Sequence, residues 1–430
     1  MPSTSLLIAA PPVPPAAPST GRALAFVYAG YLFRYVYLLI LIPFYGRVLG
    51  AQEYGRVLAA MSLYQMVWML TEYGFPLAGA RDIAAAGNDT RRVGALYAQQ
   101  MNARWLMAVP GLLLGVVGTL ASPLLRETPL FGLLATANGL MAAFNLGWFY
   151  QGRLRFGTSV VFELIGFAIN LPLILLSVHG PGDGARVLGA LLASTIICTL
   201  AAHAYALRGI ERVRAGWRES LALVRSSTAL FAHKGVTLMM ASSSTYLLSL
   251  FAPAAQVGWY GAAERLAAVG LSLMQPANHV LVGTVASRIG ARETRSQAYS
   301  LMRVSLLLMT AFGVLLLAGA WLLARPMVPL ILGPEFMPTV PMLYVLALTF
   351  PLAAFGQVTS TYVLIPLRRD TLVSLSSLFG ALATLVAILV LAPLAGGLGV
   401  AWARCAGSVL LAAVLLAILV KQGLLQRIFR

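Results

Sequence analysis

Apolar runs long enough to cross a membrane recur from one end of the 430-residue chain to the other, separated by short segments rich in Arg, Gly and Pro. A helix needs about 20 such residues to span a hydrocarbon core about 30 Å thick. The pattern predicts twelve spanning helices, over 22–46, 57–80, 98–121, 129–150, 158–178, 186–207, 226–250, 258–286, 299–324, 338–364, 371–392 and 397–420. Interior prolines such as Pro43, Pro110, Pro172, Pro276 and Pro351 bend or end these helices rather than exclude them. Residues 1–21, Pro-rich from Pro11 to Pro18, read as a disordered cytoplasmic tail, with Ser19 or Thr20 available to cap the first helix. The fold class is an all-α integral membrane protein.

Composition sharpens that reading. Hydrophobic residues make up 60% and charged residues 10%, against about 25% charged in an ordinary soluble domain. Cys198 and Cys405 both lie in apolar runs, so no disulfide framework is implied. Four histidines show no metal-ligand spacing, and neither Lys234 nor Lys421 follows the glycine of a phosphate-binding loop. With no G-x-S-x-G elbow and outer loops too short to hold catalytic groups, the chain reads as no enzyme, with no catalytic residues, metal or cofactor. The net charge of +17 is carried by loops between spans. That pattern sets topology and meets anionic headgroups rather than nucleic acid.

With the amino terminus inside, inner segments hold 19 basic residues and outer segments 5, the other 6 lying within spans. Both termini are therefore expected in the cytoplasm. The richest inner segment, a basic cytoplasmic linker over 208–225, divides an N-lobe (22–207) from a C-lobe (226–420), with a cytoplasmic tail over 421–430. A weak repeat agrees: Gln52-Glu53-Tyr54-Gly55 and Gly258-Trp259-Tyr260-Gly261 align at an offset of 206 residues. Two parallel six-span halves suit an alternating-access transporter.

Charges inside the spans point to the cargo. Arg34, Arg104, Lys234, Arg265, Arg303 and Arg404 face only Glu72, Glu163 and Glu264, an excess of three positive charges where each costs about 2.5–3.5 kcal/mol to insert. A cavity expecting an anion accounts for the excess. A diphosphate fits, and Arg grips its oxygens in pairs. Arg34, Lys234, Arg265 and Arg404 are the candidate substrate ligands; Glu72 and Glu264 are candidates for ion coupling or ion pairing. Glu72 has two readings, a partner for Arg34 or a proton carrier, and Glu264 reads as a local pair with Arg265. Arg104 and Arg303 read as snorkelling to inner headgroups, and Trp148-Phe149-Tyr150 as an interfacial belt. Asn138, Asn145, Asn170 and His279 read as interhelical hydrogen-bonding groups.

Several motifs carry a family resemblance. Gly46-Arg47-Val48-Leu49-Gly50-Ala51-Gln52-Glu53-Tyr54-Gly55, Glu72-Tyr73-Gly74-Phe75 and Arg81-Asp82-Ile83-Ala84 resemble the opening of bacterial polysaccharide flippases. These are the O-antigen and exopolysaccharide repeat-unit transporters of the multidrug/oligosaccharidyl-lipid/polysaccharide exporter superfamily. Trp148-Phe149-Tyr150-Gln151-Gly152, the stretch Val257 to Leu266, and Leu332-Gly333-Pro334-Glu335-Phe336 are similar to later motifs of that family, in the same order. The resemblance implies two six-helix lobes around a central cavity in the bacterial inner membrane, moving an undecaprenyl-diphosphate-linked oligosaccharide from the inner to the outer leaflet. It implies coupling to H+ or Na+ or to membrane potential, and membrane lipids and polysaccharide polymerase machinery as partners. The lobes within one chain suggest a monomer. The rival readings are a drug or metabolite antiporter of the same superfamily, whose cavity would be acidic for cationic drugs, and a polytopic glycosyltransferase or ligase, which would need catalytic loop residues.

Overall fold

The computed structural model describes residues 20–231, 235–274 and 295–429, and for residues 20–35 the backbone alone. It is helical throughout, with no strand among the described residues. The helices of the N-half are α1 (Thr20–Glu72), α2 (Phe75–Ala86), α3 (Thr90–Ala121), α4 (Pro123–Glu127), α5 (Pro129–Ala142), α6 (Gly147–Gly152), α7 (Phe156–Ser177) and α8 (Gly184–Leu207). Those of the C-half are α9 (Trp217–Leu230), α10 (Val236–Ser242), α11 (Ser244–Leu248), α12 (Ala254–Ser272), α13 (Arg295–Leu332), α14 (Thr339–Ala347), α15 (Thr349–Val358), α16 (Asp370–Lys421) and α17 (Leu424–Phe429).

Each of the twelve apolar runs overlaps helix, yet the helices are not twelve separate rods. Seven helical stretches among the described residues are long and apolar enough to cross a membrane. The outer loops expected after the first and eleventh runs shrink to kinks inside α1 and α16, at Gly50 (φ 70°) and Gly396 (φ 55°). Only glycine enters that region without strain. At Gly50 the kink frees the amide of Ala51, which donates to the Glu335 carboxylate at 3.2 Å. The opposite happens over 226–250, expected as one helix and found in pieces. The basic linker is also partly helical, since α9 begins at Trp217 and leans on α3, where Gln99 Nε2 donates to Glu219 O at 2.9 Å. The tail over residues 1–19 lies outside the described residues.

The break between α10 and α11 has a local cause and a distant remedy. Ser242-Ser243-Ser244-Thr245 supplies hydroxyls that compete with the helix ladder, and Ser243 Oγ donates back to Met240 O at 2.8 Å. Ser62 of α1 inserts into the gap. Its hydroxyl donates to Ser242 O at 2.6 Å and accepts from Tyr246 N at 3.3 Å, replacing the i→i+4 bond the helix lacks there. Freed backbone groups at membrane depth need such a partner. The N-half thus completes the backbone of the C-half.

The halves meet most closely where α1 crosses α12. A Cβ on Gly55 would lie 1.8 Å from Ala254 O, and one on Gly258 would lie 2.1 Å from Ala51 O. The contacts are reciprocal. Ala51-x-x-x-Gly55 packs on Ala254-x-x-x-Gly258, a small-residue crossing of the kind membrane helices use to bring backbones together. The equivalence it defines (51 to 254, 55 to 258) is an offset of 203 residues, so aligning the Tyr-Gly pairs is wrong by three residues, just under a turn. Backbone proximity decides the register, and small residues mark it better than the aromatic beside them. Beside the crossing, Trp259 Nε1 donates to Glu335 O at 3.0 Å, and Arg47 donates to Ile331 O at 3.2 Å and to Leu330 O.

Large apolar side chains cover the outside of the bundle. Leu176, Leu322 and Leu394 are each 77% exposed, which only a hydrocarbon solvent makes favourable.

Ser62→Ala removes both hydrogen bonds in the α10–α11 gap and leaves two backbone groups unsatisfied, a loss of about 1–3 kcal/mol. The melting temperature in detergent should fall for Ser62→Ala and recover in Ser62→Thr; an unchanged melting temperature for Ser62→Ala would count against the splice.

Candidate functional site

Consecutive residues on a helix point about 100° apart. On α12 this divides Glu264 from Arg265, although their adjacency in sequence suggests a local pair. Glu264 turns into the C-half. Its carboxylate accepts from Thr245 Oγ1 of α11 at 2.5 Å and forms an ion pair with Arg404 of α16. Both side chains are partly exposed, 23% for Glu264 and 29% for Arg404. Arg404 thus has an internal counter-charge, and its guanidinium ties α16 to α12.

Arg265 turns the other way, toward α1. Its Nη2 lies 3.0 Å from Met61 Sδ, a weak acceptor. Arg265 forms no salt bridge among the described residues. The guanidinium lines a cavity of about 200 Å³ between the halves, together with Tyr37, Tyr45, Tyr64, Gln65 and Asn170. Its charge also acts on the tyrosines Tyr37, Tyr45 and Tyr54 of α1. The half-buried cation thus faces both polar groups and the apolar side chains Leu41, Ile42, Phe167 and Leu191.

A second cavity of about 460 Å³ opens inside the N-half, between α1, α7 and α8. It shares Tyr37, Tyr64, Phe167, Asn170 and Leu191 with the Arg265 cavity. Asn170 stands between the two. It accepts from the Tyr37 hydroxyl, and its Nδ2 donates to Ser194 Oγ at 3.3 Å.

At the inner end of the N-half the structure corrects two expectations. Arg104 does not snorkel; it is fully buried. Its Nε donates to Ala143 O at 2.7 Å and its Nη1 to Gln100 Oε1 at 2.6 Å. The guanidinium carbon lies 5.6 Å from the Phe75 ring centre and 5.1 Å from that of Trp148. Nor do Trp148, Phe149 and Tyr150 form an interfacial belt. All three are buried, with Ile83 of α2 and Ala202 of α8 in the same cluster. The short helices α2 and α6 fold against each other and cover both features, a tertiary event that hydropathy does not encode. The charge of Arg104 acts on Glu72, the last residue of α1. Glu72 therefore has a cationic neighbour on α3. Arg303 is half-buried on α13.

Of the expected ligands, the structure brings Arg265 to a cavity and commits Arg404 to Glu264. Arg34 lies on α1 but its side chain is outside the described set; Lys234 lies outside the described residues, as does His279. Asn138 donates to Leu188 O at 3.1 Å across α5 and α8, as expected of an interhelical group. The residues the sequence reading passes over are Tyr37, Tyr64 and Phe167. The available signal is positional, since Tyr37 follows Arg34 by three residues on one helix face.

The profile of a family described as "polysaccharide biosynthesis protein" matches residues 21–286, more than half of the chain. Among solved structures, the fold is similar to "Lipid II flippase MurJ, inward closed conformation", with a TM-score of 0.69 and 11% identity over 92% of this chain and 87% of that one. It is also similar to an inward-facing multidrug resistance MATE family transporter of the MOP superfamily, with a TM-score of 0.68 and 15% identity over 88% and 95%. A third likeness is to the MATE multidrug transporter DinF-BH, with a TM-score of 0.53 and 16% identity over 94% and 96%. At these identities the likeness establishes the fold. No curated protein matches the chain in sequence.

Removing one partner of the Glu264–Arg404 pair leaves a charge facing a low-dielectric interior. Discounted for partial exposure, the loss is about 1–3 kcal/mol for Arg404→Ala or Glu264→Gln. A double-mutant cycle on thermal unfolding should give a double variant less destabilised than the sum of the singles; strict additivity would argue that the two side chains do not interact.

Proposed function

The chain belongs to the polysaccharide biosynthesis protein family, and on that premise we propose that it is a flippase for lipid-linked saccharides. In this reading it carries undecaprenyl-diphosphate-linked oligosaccharide repeat units from the inner to the outer leaflet of the bacterial inner membrane by alternating access. The observation that carries the proposal is Arg265: a C-half cation without an ion-pair partner among the described residues, lining a cavity whose other described walls come from the N-half. A diphosphate supplies the missing counter-charge, and the planar guanidinium binds two of its oxygens at once. Arg34 and Lys234 remain candidate ligands of the same group. Arg404 is assigned instead to holding the C-half together.

Movement follows from where the halves touch. The Ala51/Gly55–Ala254/Gly258 crossing and the Ser122–Ser249 contact, with Oγ atoms 2.9 Å apart, lie at the ends that the charge distribution assigns to the outside. With those ends packed together, release to the outer leaflet requires them to separate. The crossing itself has no ion pair, and parting the outer ends also breaks the hydrogen bonds of Arg47, of Ala51 to Glu335 and of Ser122 to Ser249. No covalent chemistry is needed.

Two measurements test the reading in proteoliposomes holding a fluorescent undecaprenyl-diphosphate saccharide. Arg265→Ala should lower the initial translocation rate by about 10–100-fold, as loss of a charge-assisted contact of about 1.5–3 kcal/mol would, and Arg265→Lys should retain part of it. Full activity of a folded Arg265→Ala protein would remove Arg265 from the site. Ser122→Cys with Ser249→Cys, in a background lacking Cys198 and Cys405, should form a disulfide that stops transport until reductant is added. Transport that continues through the oxidised pair would show that the outer ends need not part.

A further inference from the structure

We propose that the cavity inside the N-half is a saccharide subsite that receives the sugar next to the diphosphate. The inference rests on the flippase reading for the source of the sugar, and on the chemistry of the cavity wall for its nature. At about 460 Å³ the cavity is more than twice the volume of the one beside Arg265 and shares a wall with it. It falls within the range of small-ligand sites, about 300–1,000 Å³. A group bound at Arg265 that continues past Asn170 enters it directly.

The wall selects among the three parts of a lipid-linked saccharide. A diphosphate needs cations, and no Arg or Lys among the described side chains lines the cavity. A polyprenyl chain needs an apolar surface, and this wall carries Asn145, Gln151, Ser159, Glu163, Thr195 and Thr199. A pyranose ring presents neutral hydroxyls around its edge and C–H groups on its faces. It matches a wall whose donors and acceptors, Glu163 apart, are uncharged and interleaved with aromatic rings. Tyr64 and Trp68, one turn apart on α1, hold their ring planes within 8° of each other at a centroid spacing of 6.4 Å. Across the cavity, α7 contributes Gly166, where an added Cβ would meet only Cys198 Sγ, at 3.4 Å. That missing side chain keeps the space open. Glu163, a carboxylate with a partner of its own, also lines the cavity.

Cys198 is a built-in reporter. It lines the cavity and is half-buried, while Cys405, the other thiol, is buried elsewhere in the fold. The unmodified protein in lipid nanodiscs is treated with a small water-soluble methanethiosulfonate, and the two cysteines are read separately by mass spectrometry. Three probe lipids are compared: bare undecaprenyl diphosphate, the same lipid carrying one N-acetylglucosamine, and the same lipid carrying one galactose. At ten times its Kd, a protecting lipid lowers the free fraction and the labelling rate about tenfold. We expect that protection of Cys198 from at least one sugar-bearing lipid, little from the bare diphosphate, and no change at Cys405.

Equal protection by bare and sugar-bearing lipids would overturn the proposal, as would no protection by any of the three or a Cys198 that the reagent never reaches. Gly166→Leu gives an independent check. It should fill the cavity and abolish binding of the sugar-bearing lipids beyond that of the bare diphosphate, with its melting temperature unchanged. Sugar-dependent protection in a protein that fails the translocation assay would keep the subsite and discard the flippase reading. Translocation without sugar-dependent protection would do the reverse.

Discussion

Where α1 crosses α12, the backbones of Gly55 and Gly258 come so close that a single methyl group on either would overlap a carbonyl oxygen of the other helix. Much of the molecule is arranged around this crossing. It sets the distance between the halves, and the other seam contacts follow from it: Ser62 in the gap of the α10–α11 backbone, Tyr246 OH on Gly118 O at 2.7 Å, Ser122 on Ser249. In hydrocarbon no hydrophobic driving force presses helices together, so close packing and satisfied polar groups must do it. An apolar, small-residue crossing also suits a joint that opens and closes.

The intramembrane cations, which in sequence look like one population, serve different ends. Arg104 and Arg404 are engaged within their own halves. One is enclosed by carbonyl oxygens and aromatic rings, the other is tied to a carboxylate, and both hold helices of one half together. Arg265 sits between the halves and has only a thioether near its Nη2. A charge so placed favours whatever anion fills the cavity beside it, and its position on the seam lets binding there bear on the relation between the halves. Of the described cations that make up the positive excess in the spans, Arg104 and Arg404 are each engaged within one half and Arg265 lines a cavity beside α1.

The lining chemistry changes sharply over a short distance. The cavity at Arg265 holds a cation and is small; the one behind Asn170 is larger and aromatic, with Glu163 among otherwise uncharged described polar groups. Neither cavity is built by one helix. Each draws on α1, α7 and α8, and the first also on α12, so the contrast arises from packing rather than from any local motif.

The sequence by itself determined the membrane location and the helical class, because both follow from a one-dimensional quantity, the length of the apolar runs. Its motifs also carried the family. Several of those motif residues, Arg47, Gly55, Gly258 and Glu335, turn out to join the halves. Only the tertiary structure decided which charge meets which. Neighbours such as Glu264 and Arg265 diverge by a helical step, whereas Glu264 and Arg404, 140 residues apart, converge. It also decided that Trp148 to Tyr150 are core and that the repeat registers at 203 residues rather than 206. Burial and pairing depend on which faces pack together, and hydropathy along the chain does not contain that information.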